Sequence, residues 1–210
     1  MAARRAMAAL GLVAGAMPLG LSLVPGASPA QALAPPSLEE RVEQATVTLL
    51  PSRCAGAVVE DGAHVATVAH CVQGRERVRI RFHDGREVGA TVRWTDPDRD
   101  HALLALDAPA AVAPLPIAEG TPAPGDRLYF GSRPERPTPP QSIRVEKIAR
   151  CPSLPGVEGA IFTDLDARPG DSGSPLVDEA GALAGMVHGG ARCRISTPAA
   201  GLDEVLPPAG

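Results

Sequence analysis

The feature that most constrains this chain is a long succession of short apolar segments, each closed by turn residues. In one of them Val78, Ile80 and Phe82 alternate strictly with arginines, the pattern of a strand with one buried face. Asp61-Gly62 follows another such segment as a hairpin turn. The first set of predicted strands is Thr46–Leu50, Ala55–Glu60, His64–Ala69, Arg77–Phe82, Glu87–Thr95 and Ala102–Leu106.

A second set of strands follows a connection rich in Ala and Pro, Asp107 to Gly125, which lacks any periodicity. The second set comprises Arg127–Gly131, Ser142–Arg150, Ala160–Thr163, Ser174–Asp178, Ala182–His188 and Arg192–Ser196. Two sets of roughly six short strands with little helix predict an all-β fold of two six-stranded antiparallel β-barrels. Short helices are expected only at Ser37–Gln44, which opens with a capping-box spacing, and at Leu202–Leu206.

The start of the chain is typical of an export signal. Arg4 and Arg5 precede the apolar stretch Ala6–Val24, and Ala30-Gln31-Ala32 has the small-x-small form of a signal-peptidase site. A transmembrane anchor is the alternative, but Gly and Pro interrupt the stretch. We expect a secreted or periplasmic protein without a stable membrane anchor, cleaved near Ala32. The expected division is a signal peptide over 1–32, an N-terminal linker over 33–45, a first barrel over 46–110, an inter-barrel linker over 111–123 and a second barrel over 124–210.

Charge and cysteine content narrow the classes of partner. A formal net charge of −4 without a dense basic run argues against nucleic acid. In an oxidising compartment the four cysteines favour disulfides, and four cysteines allow three connectivities. Of these we expect Cys54–Cys71 and Cys151–Cys193. Because no C-x-x-C spacing is present, a zinc site is disfavoured, and no metal or cofactor is expected.

The stretch Gly170-Asp171-Ser172-Gly173-Ser174-Pro175 carries the first chemical signal. A serine flanked by glycines lies on a tight turn, where its hydroxyl can stand clear and backbone N–H groups can converge. Converging N–H groups are what an acyl-transfer enzyme needs for a developing oxyanion. An ordinary Gly-Ser loop is the alternative for this stretch taken alone.

A histidine and an aspartate upstream could activate that serine. His70 ends a predicted strand beside Cys71, and histidine is suited to take and return a proton near neutral pH. Asp100 stands at the mouth of a buried strand, where a carboxylate can accept from a histidine Nδ1–H and fix its tautomer. A structural His70 and a merely solubilising Asp100 are the alternatives, and Asp96 and Asp98 are close rivals.

Three blocks of sequence together resemble the chymotrypsin/trypsin-like serine proteases. They are Val68-Ala69-His70-Cys71, Asp100-His101-Ala102-Leu103-Leu104 and Gly170-Asp171-Ser172-Gly173-Ser174-Pro175, in that family's order, across nearly all of the mature chain. The resemblance implies two barrels with the active site in the cleft between them. It makes Ser172 the nucleophile, His70 the general base and then acid, and Asp100 the group that orients His70. The oxyanion hole would be formed by the N–H groups of Gly170 and Ser172.

The finer resemblance is to bacterial members. Thr163-Asp164 resembles the HtrA-type proteases, and Gly173-Ser174-Pro175 with Gly189-Gly190 resembles the staphylococcal glutamyl endopeptidases. In the glutamyl group a histidine reads an acidic substrate side chain, but His188 lies one place later, so that specificity is not carried over. His188 and Gly190 are candidate substrate-binding residues, and His188 could instead touch Asp100 or simply pack.

Specificity and activation are the points where the chain departs from the family. Six residues before the nucleophile, at the expected floor of the first substrate pocket, stands Asp166, which would favour Arg or Lys unless Arg168 neutralises it. The chain also lacks the Ile-Val-Gly-Gly whose freed N-terminus pairs with the aspartate before the serine. We hypothesise an internal arginine as the partner of Asp171, with Arg144 and Arg150 as candidates.

The sequence therefore predicts a secreted serine endopeptidase. It would act through a Ser-His-Asp triad and an acyl-enzyme, as a monomer on protein or peptide substrates. A catalytically silent homologue serving as an extracellular binding module is the alternative. An esterase is disfavoured, because the Gly-x-Ser-x-Gly elbow and the strand–helix alternation of esterases are missing.

Overall fold

The structure, a computed structural model, describes residues 35–136, 141–152, 154–190 and 193–207. The predicted signal peptide over 1–32 lies outside the described residues. Helix α1 spans Leu38–Ala45. Its capping box is formed as expected, because the Ser37 hydroxyl accepts from the Glu40 N–H at 3.2 Å and the Glu40 carboxylate accepts from the Ser37 N–H at 2.7 Å. Within these ranges no helix has the length and apolar content needed to span a membrane.

The first barrel contains six antiparallel strands. These are β1 Thr46–Leu50, β2 Ala55–Val59, β3 His64–Thr67, β4 Arg77–Arg81, β5 Glu87–Asp96 and β6 His101–Leu106. Around the barrel they follow the order β1-β2-β3-β6-β5-β4, and the pairing of β4 with β1 closes it. Val78 and Ile80 point inward while the arginines between them face out, as a period of two requires.

The second barrel repeats the same order with its own six strands, β7-β8-β9-β12-β11-β10. These are β7 Arg127–Phe130, β8 Gln141–Ala149, β9 Ala160–Thr163, β10 Pro175–Val177, β11 Leu183–Gly190 and β12 Arg194–Pro198. The predicted fold class is confirmed. The segment expected as a helix at Leu202–Leu206 forms only a single 3-10 turn, Asp203–Val205.

The connection between the barrels is fixed at two points. Leu115 forms a parallel bridge with Val59 of β2, and Ile117 forms one with Leu183 of β11. Both connecting side chains are buried in a cluster that also holds Met186 of β11 and most of the first barrel's core. Each such side chain stabilises the fold by about 1.5–3 kcal/mol. The two barrels therefore share apolar core, with the linker threaded between them.

Candidate active site

The structure places His70 on a short turn held by a disulfide. The 3-10 turn Ala69–Cys71 follows β3, and Cys71 is bonded to Cys54. The second predicted pair, Cys151–Cys193, is also present. The side chain of His70 is 39% exposed, so its ring is open to a substrate on one side while its backbone is fixed on the other.

Asp100 is buried behind His70 and accepts two hydrogen bonds from it. The residue is 4% exposed and has a φ of +56° in the turn that leads into β6. Its Oδ1 accepts the His70 backbone N–H at 3.0 Å, and its Oδ2 lies 2.9 Å from His70 Nδ1. Burial raises the pKa of Asp100, but hydrogen bonds from His188 and His70 outweigh burial and leave that pKa well below its usual value. Asp100 is therefore a carboxylate, which favours the His70 tautomer with its proton on Nδ1.

Ser172 lies on the loop before β10, which packs directly onto the first barrel. The Ser172 carbonyl accepts from the Ala55 N–H at 2.7 Å. Gly173, at φ +83°, has no room for a side chain, because a Cβ there would lie 2.1 Å from the Ala55 carbonyl oxygen and 2.5 Å from the Thr67 hydroxyl. Glycine at this position lets the serine loop approach β2 and β3, which brings Ser172 to the barrel that carries His70.

The residue that contacts all three of these groups is His188. Its Nδ1 donates to Oδ2 of Asp100, and its ring meets the His70 ring edge-on at a centroid distance of 5.0 Å. Its carbonyl accepts the Ser172 hydroxyl at 3.0 Å. Of the roles considered for His188, substrate reading, contact with Asp100 or packing, the structure shows the contact with Asp100. The sequence signal for it was only a histidine near the expected position.

The two N–H groups expected to form the oxyanion hole are free to donate. Across the described ranges, neither the Gly170 N–H nor the Ser172 N–H has a hydrogen-bond acceptor in the protein. Gly170 has a φ of +96°, a conformation that glycine adopts readily. Amides of the serine loop that lack an acceptor can donate to negative charge on a bound group.

Asp166 does not lie at the floor of a pocket. Its side chain is 74% exposed and pairs with Arg194 at 2.9 Å, not with Arg168. The structure does not place Asp166 at the expected floor position, because its carboxylate turns outward to Arg194. Gly190, the other candidate substrate-binding residue, ends β11 and pairs with Arg194 of β12.

Neither Arg144 nor Arg150, the two arginines expected as partners of Asp171, pairs with its carboxylate. Its Oδ2 accepts the backbone N–H of Arg168 at 2.7 Å. Arg144 donates to the Gly125 carbonyl, and Arg150 pairs with Glu158. A short loop hydrogen bond thus takes the place of the ion pair.

A groove of about 670 Å³ borders the site on the first-barrel side of His70. It is lined by Asp100, by residues 72–76 and by side chains of β5 and the turn after it. Such a groove beside the candidate general base offers a surface for a peptide.

The two histidines and the aspartate of the candidate active site also have the composition of a metal site. His70, Asp100 and His188 each offer one ligand atom, and these atoms lie within 4.8 Å of one another. They are already joined by hydrogen bonds from both imidazoles to the carboxylate, the arrangement that proton transfer requires. Cys54 and Cys71 also lie near His70 but are tied up in their disulfide.

One residue at the site escaped the sequence analysis. Arg133 is 8% exposed and packs against Gly170. No pattern marks it, because it lies in a Pro-rich loop with no periodicity, and only the fold brings that loop to the serine.

Sequence comparison gives relatives of one kind. The trypsin-like peptidase domain family matches residues 54–186. Protease Do-like 1, chloroplastic, of Arabidopsis thaliana is 28% identical over 138 residues, which cover 62% of this chain and 31% of that protein. The periplasmic pH-dependent serine endoprotease DegQ of Escherichia coli is 28% identical over 131 residues, 59% of this chain and 28% of that protein. The chain thus spans about a third of the length of these relatives.

Solved structures agree on the fold. The Rv3671c protease in its inactive form superposes with a TM-score of 0.63 at 25% identity, covering 86% of this chain and 95% of that one. The MamO protease domain of Magnetospirillum magneticum gives a TM-score of 0.63 at 21% identity, covering 80% of this chain and 98% of that one. At that identity the second match supports the fold alone. With the family match covering more than half of its length, the chain belongs to the trypsin-like peptidase family of serine proteases.

Proposed function

We propose that the mature chain is a secreted serine endopeptidase that works through a Ser172–His70–Asp100 triad. The observation that carries the proposal is the buried Asp100 carboxylate, which accepts both the backbone N–H and the Nδ1–H of His70. A carboxylate in this position stabilises an imidazolium, which is what His70 becomes when it takes the proton of a nucleophile.

The chemistry follows from these positions. The Ser172 hydroxyl attacks the carbonyl carbon of a peptide bond while His70 Nε2 takes its proton. The carbonyl oxygen becomes an oxyanion and accepts from the N–H groups of Gly170 and Ser172. When the carbon–nitrogen bond breaks, His70 returns the proton to the leaving amine, and the acyl group stays on Ser172. A water molecule then attacks the acyl carbon while His70 takes its proton. The bond from that carbon to the Ser172 oxygen breaks, and His70 returns the proton to the serine.

The serine must turn before it can react. Its hydroxyl donates to the His188 carbonyl, and no hydrogen bond joins it to His70 within the described part of the chain. Gly189 leaves the space that this hydroxyl occupies, since a Cβ there would lie 2.6 Å from Ser172 Oγ. Free enzymes commonly hold such groups out of alignment until substrate binds. A rotation of the Ser172 side chain towards His70 brings the hydroxyl to its general base and makes the site ready to react.

Export fits the covalent structure. The signal peptide proposed over 1–32 would send the chain to an oxidising compartment, and both pairs of cysteines are joined in disulfides. We place the mature protein outside the cytoplasm, with protein or peptide segments as its substrates.

A catalytically silent binding module is the second candidate, favoured by one observation, the engagement of the Ser172 hydroxyl by the His188 carbonyl. Labelling of purified mature protein with a fluorophosphonate probe decides between the two candidates. We expect labelling that is lost in Ser172→Ala and kept in Ser174→Ala, a control that alters a fully buried serine two residues away. A folded, disulfide-bonded protein that takes no label would refute the enzyme and leave the binding module.

A further inference from the structure

The cationic guanidinium of Arg133 lies against the loop that contains the candidate oxyanion hole. It follows β7, and its guanidinium lies over Gly170, where a Cβ would come within 2.4 Å of Nη2. Its Nη1 donates to the Arg53 carbonyl at 2.7 Å. Anchored at one nitrogen and only 8% exposed, the side chain is fixed before any ligand arrives.

Among the residues that the structure describes, the opposite edge of this guanidinium has no hydrogen-bond partner. Nε is fully buried without an acceptor, and no acceptor for Nη2 is found among the described residues. The nearest acid along the chain, Glu135, instead accepts from Arg81 and Thr48. Because Nε is buried, the nitrogen that a ligand can reach is Nη2, which can donate a charge-assisted hydrogen bond to a carboxylate oxygen. A buried cation without a counter-charge is unfavourable, so this edge is suited to a ligand that brings a carboxylate.

The connections of Arg133 fix the side of the site on which that ligand lies. His70 protonates the leaving amine, so the departing half of the substrate lies on the His70 side of the cleaved bond. Arg53, which anchors Arg133, directly precedes Cys54, and Cys54 is bonded to Cys71 beside His70. These bonds link Arg133 to the segment that carries His70, and on that ground we assign it to the leaving-group side.

We propose that Arg133 is a specificity-determining residue that binds a carboxylate carried by the leaving half of the substrate. The carboxylate comes either from an acidic side chain shortly after the cleaved bond or from a free C-terminus. This inference rests on the proposed endopeptidase function and adds a substrate class to it.

Paired synthetic peptides test the proposal. One pair carries Glu or Gln at the first two positions after the cleaved bond, and the other ends in a free acid or an amide. We expect kcat/KM to be about ten- to hundredfold higher for the carboxylate member of one pair, the usual worth of a charge-assisted hydrogen bond in a buried site. The pair that shows the difference identifies the source of the carboxylate.

Variants separate this role from others. Arg133→Gln should erase the difference. Arg133→Lys should retain only part of it, because a single ammonium cannot reproduce both the bond to the Arg53 carbonyl and the bond to the ligand. Arg136→Gln should retain all of it, as a matched loss of charge on the exposed side of the same loop. The fluorophosphonate probe carries no peptide leaving group, so Arg133→Gln should slow labelling by a smaller factor than it slows cleavage of the carboxylate peptide. Equal slowing of labelling and peptide cleavage would overturn the proposal and place Arg133 in support of the oxyanion hole.

Binding to the Ser172→Ala chain provides a readout independent of catalysis. Fluorescence anisotropy should show tighter binding of the carboxylate peptide, and adding Arg133→Gln should remove that advantage. Equal affinity for both members of each pair would refute the carboxylate site, even if Ser172 labels normally. Absence of labelling with a retained carboxylate preference would refute the catalytic function alone.

Discussion

Removing the two disulfides one at a time should separate stability from activity. One variant replaces Cys54 and Cys71 by alanine, and the other replaces Cys151 and Cys193. The sequence separations are 17 residues for the first pair and 42 for the second. From the entropy of the unfolded loops, the first bond stabilises the fold by about 3 kcal/mol and the second by about 4 kcal/mol. The second variant should therefore be the less stable one.

The loss of activity should follow the opposite order, with the larger loss in the variant that lacks Cys54 and Cys71. Cys71 adjoins His70 on the same short turn, so without its bond the imidazole can drift from Ser172. A displacement of about 1 Å at a reacting group lowers the rate about a hundredfold. The bond from Cys151 to Cys193 instead packs against Val157 and Ile195, away from the reacting groups, and its loss should leave the labelling rate of Ser172 near that of the wild type.

Urea denaturation at pH 7 measures the first quantity, and the rate of fluorophosphonate labelling in the folded range measures the second. Single-alanine variants of nearby buried residues, Val68→Ala and Ile195→Ala, control for packing losses at the two ends. If the Cys54/Cys71 variant labels as fast as the wild type, the disulfide does not position His70 and the reasoning fails. The same conclusion follows if the Cys151/Cys193 variant loses labelling while still folded.

Three further predictions concern the serine loop, a buried histidine and the exposed Asp166. Gly173→Ala should destabilise the fold by about 3 kcal/mol or more in urea denaturation, because its Cβ would meet the Ala55 carbonyl at a strained φ; unchanged stability would contradict that packing. Burial lowers the pKa of His101 to about 4, so its contribution to stability is complete above pH 6.5 and is lost as the pH falls through 4. Denaturation at pH 7 and pH 4 should show a loss of about 3 kcal/mol in the wild type that His101→Gln lacks, and parallel losses would refute it. Asp166→Asn should leave the cleavage profile of a peptide library unchanged, since its exposed side chain faces Arg194. If the variant loses a preference for Arg or Lys, Asp166 does read the substrate and this reasoning is wrong.

The strands could be predicted because their signals are local. Alternation and turn residues act over a few positions, so segments such as Arg77–Phe82 end within a residue of where the structure ends them, at Arg81. The barrel class follows from the number and spacing of such segments. The 3-10 turn at Asp203–Val205 shows the limit, since a segment of five residues is too short to sustain an α-helix even with apolar side chains that pack against the core.

The side-chain arrangement at the site depends on contacts between distant segments. The sequence leaves contact with Asp100 as only one of three roles for His188, because that contact depends on where β11 brings His188. Asp166 turns outward to Arg194, 28 positions along the chain, which counting back from the serine does not reveal. No sequence pattern marks Arg133 either, because its burial comes from the packing of one loop against another.

The threading of Leu115 and Ile117 between the barrels has a consequence for how the protein denatures. Separating the barrels would strip Leu115 from β2 and Ile117 from β11 at once and expose the apolar cluster they share. Neither barrel keeps a complete core when the other is lost, so the melting of one removes support from the other. The molecule should unfold in a single cooperative transition, and the reacting groups, divided between the barrels, are then assembled or lost together.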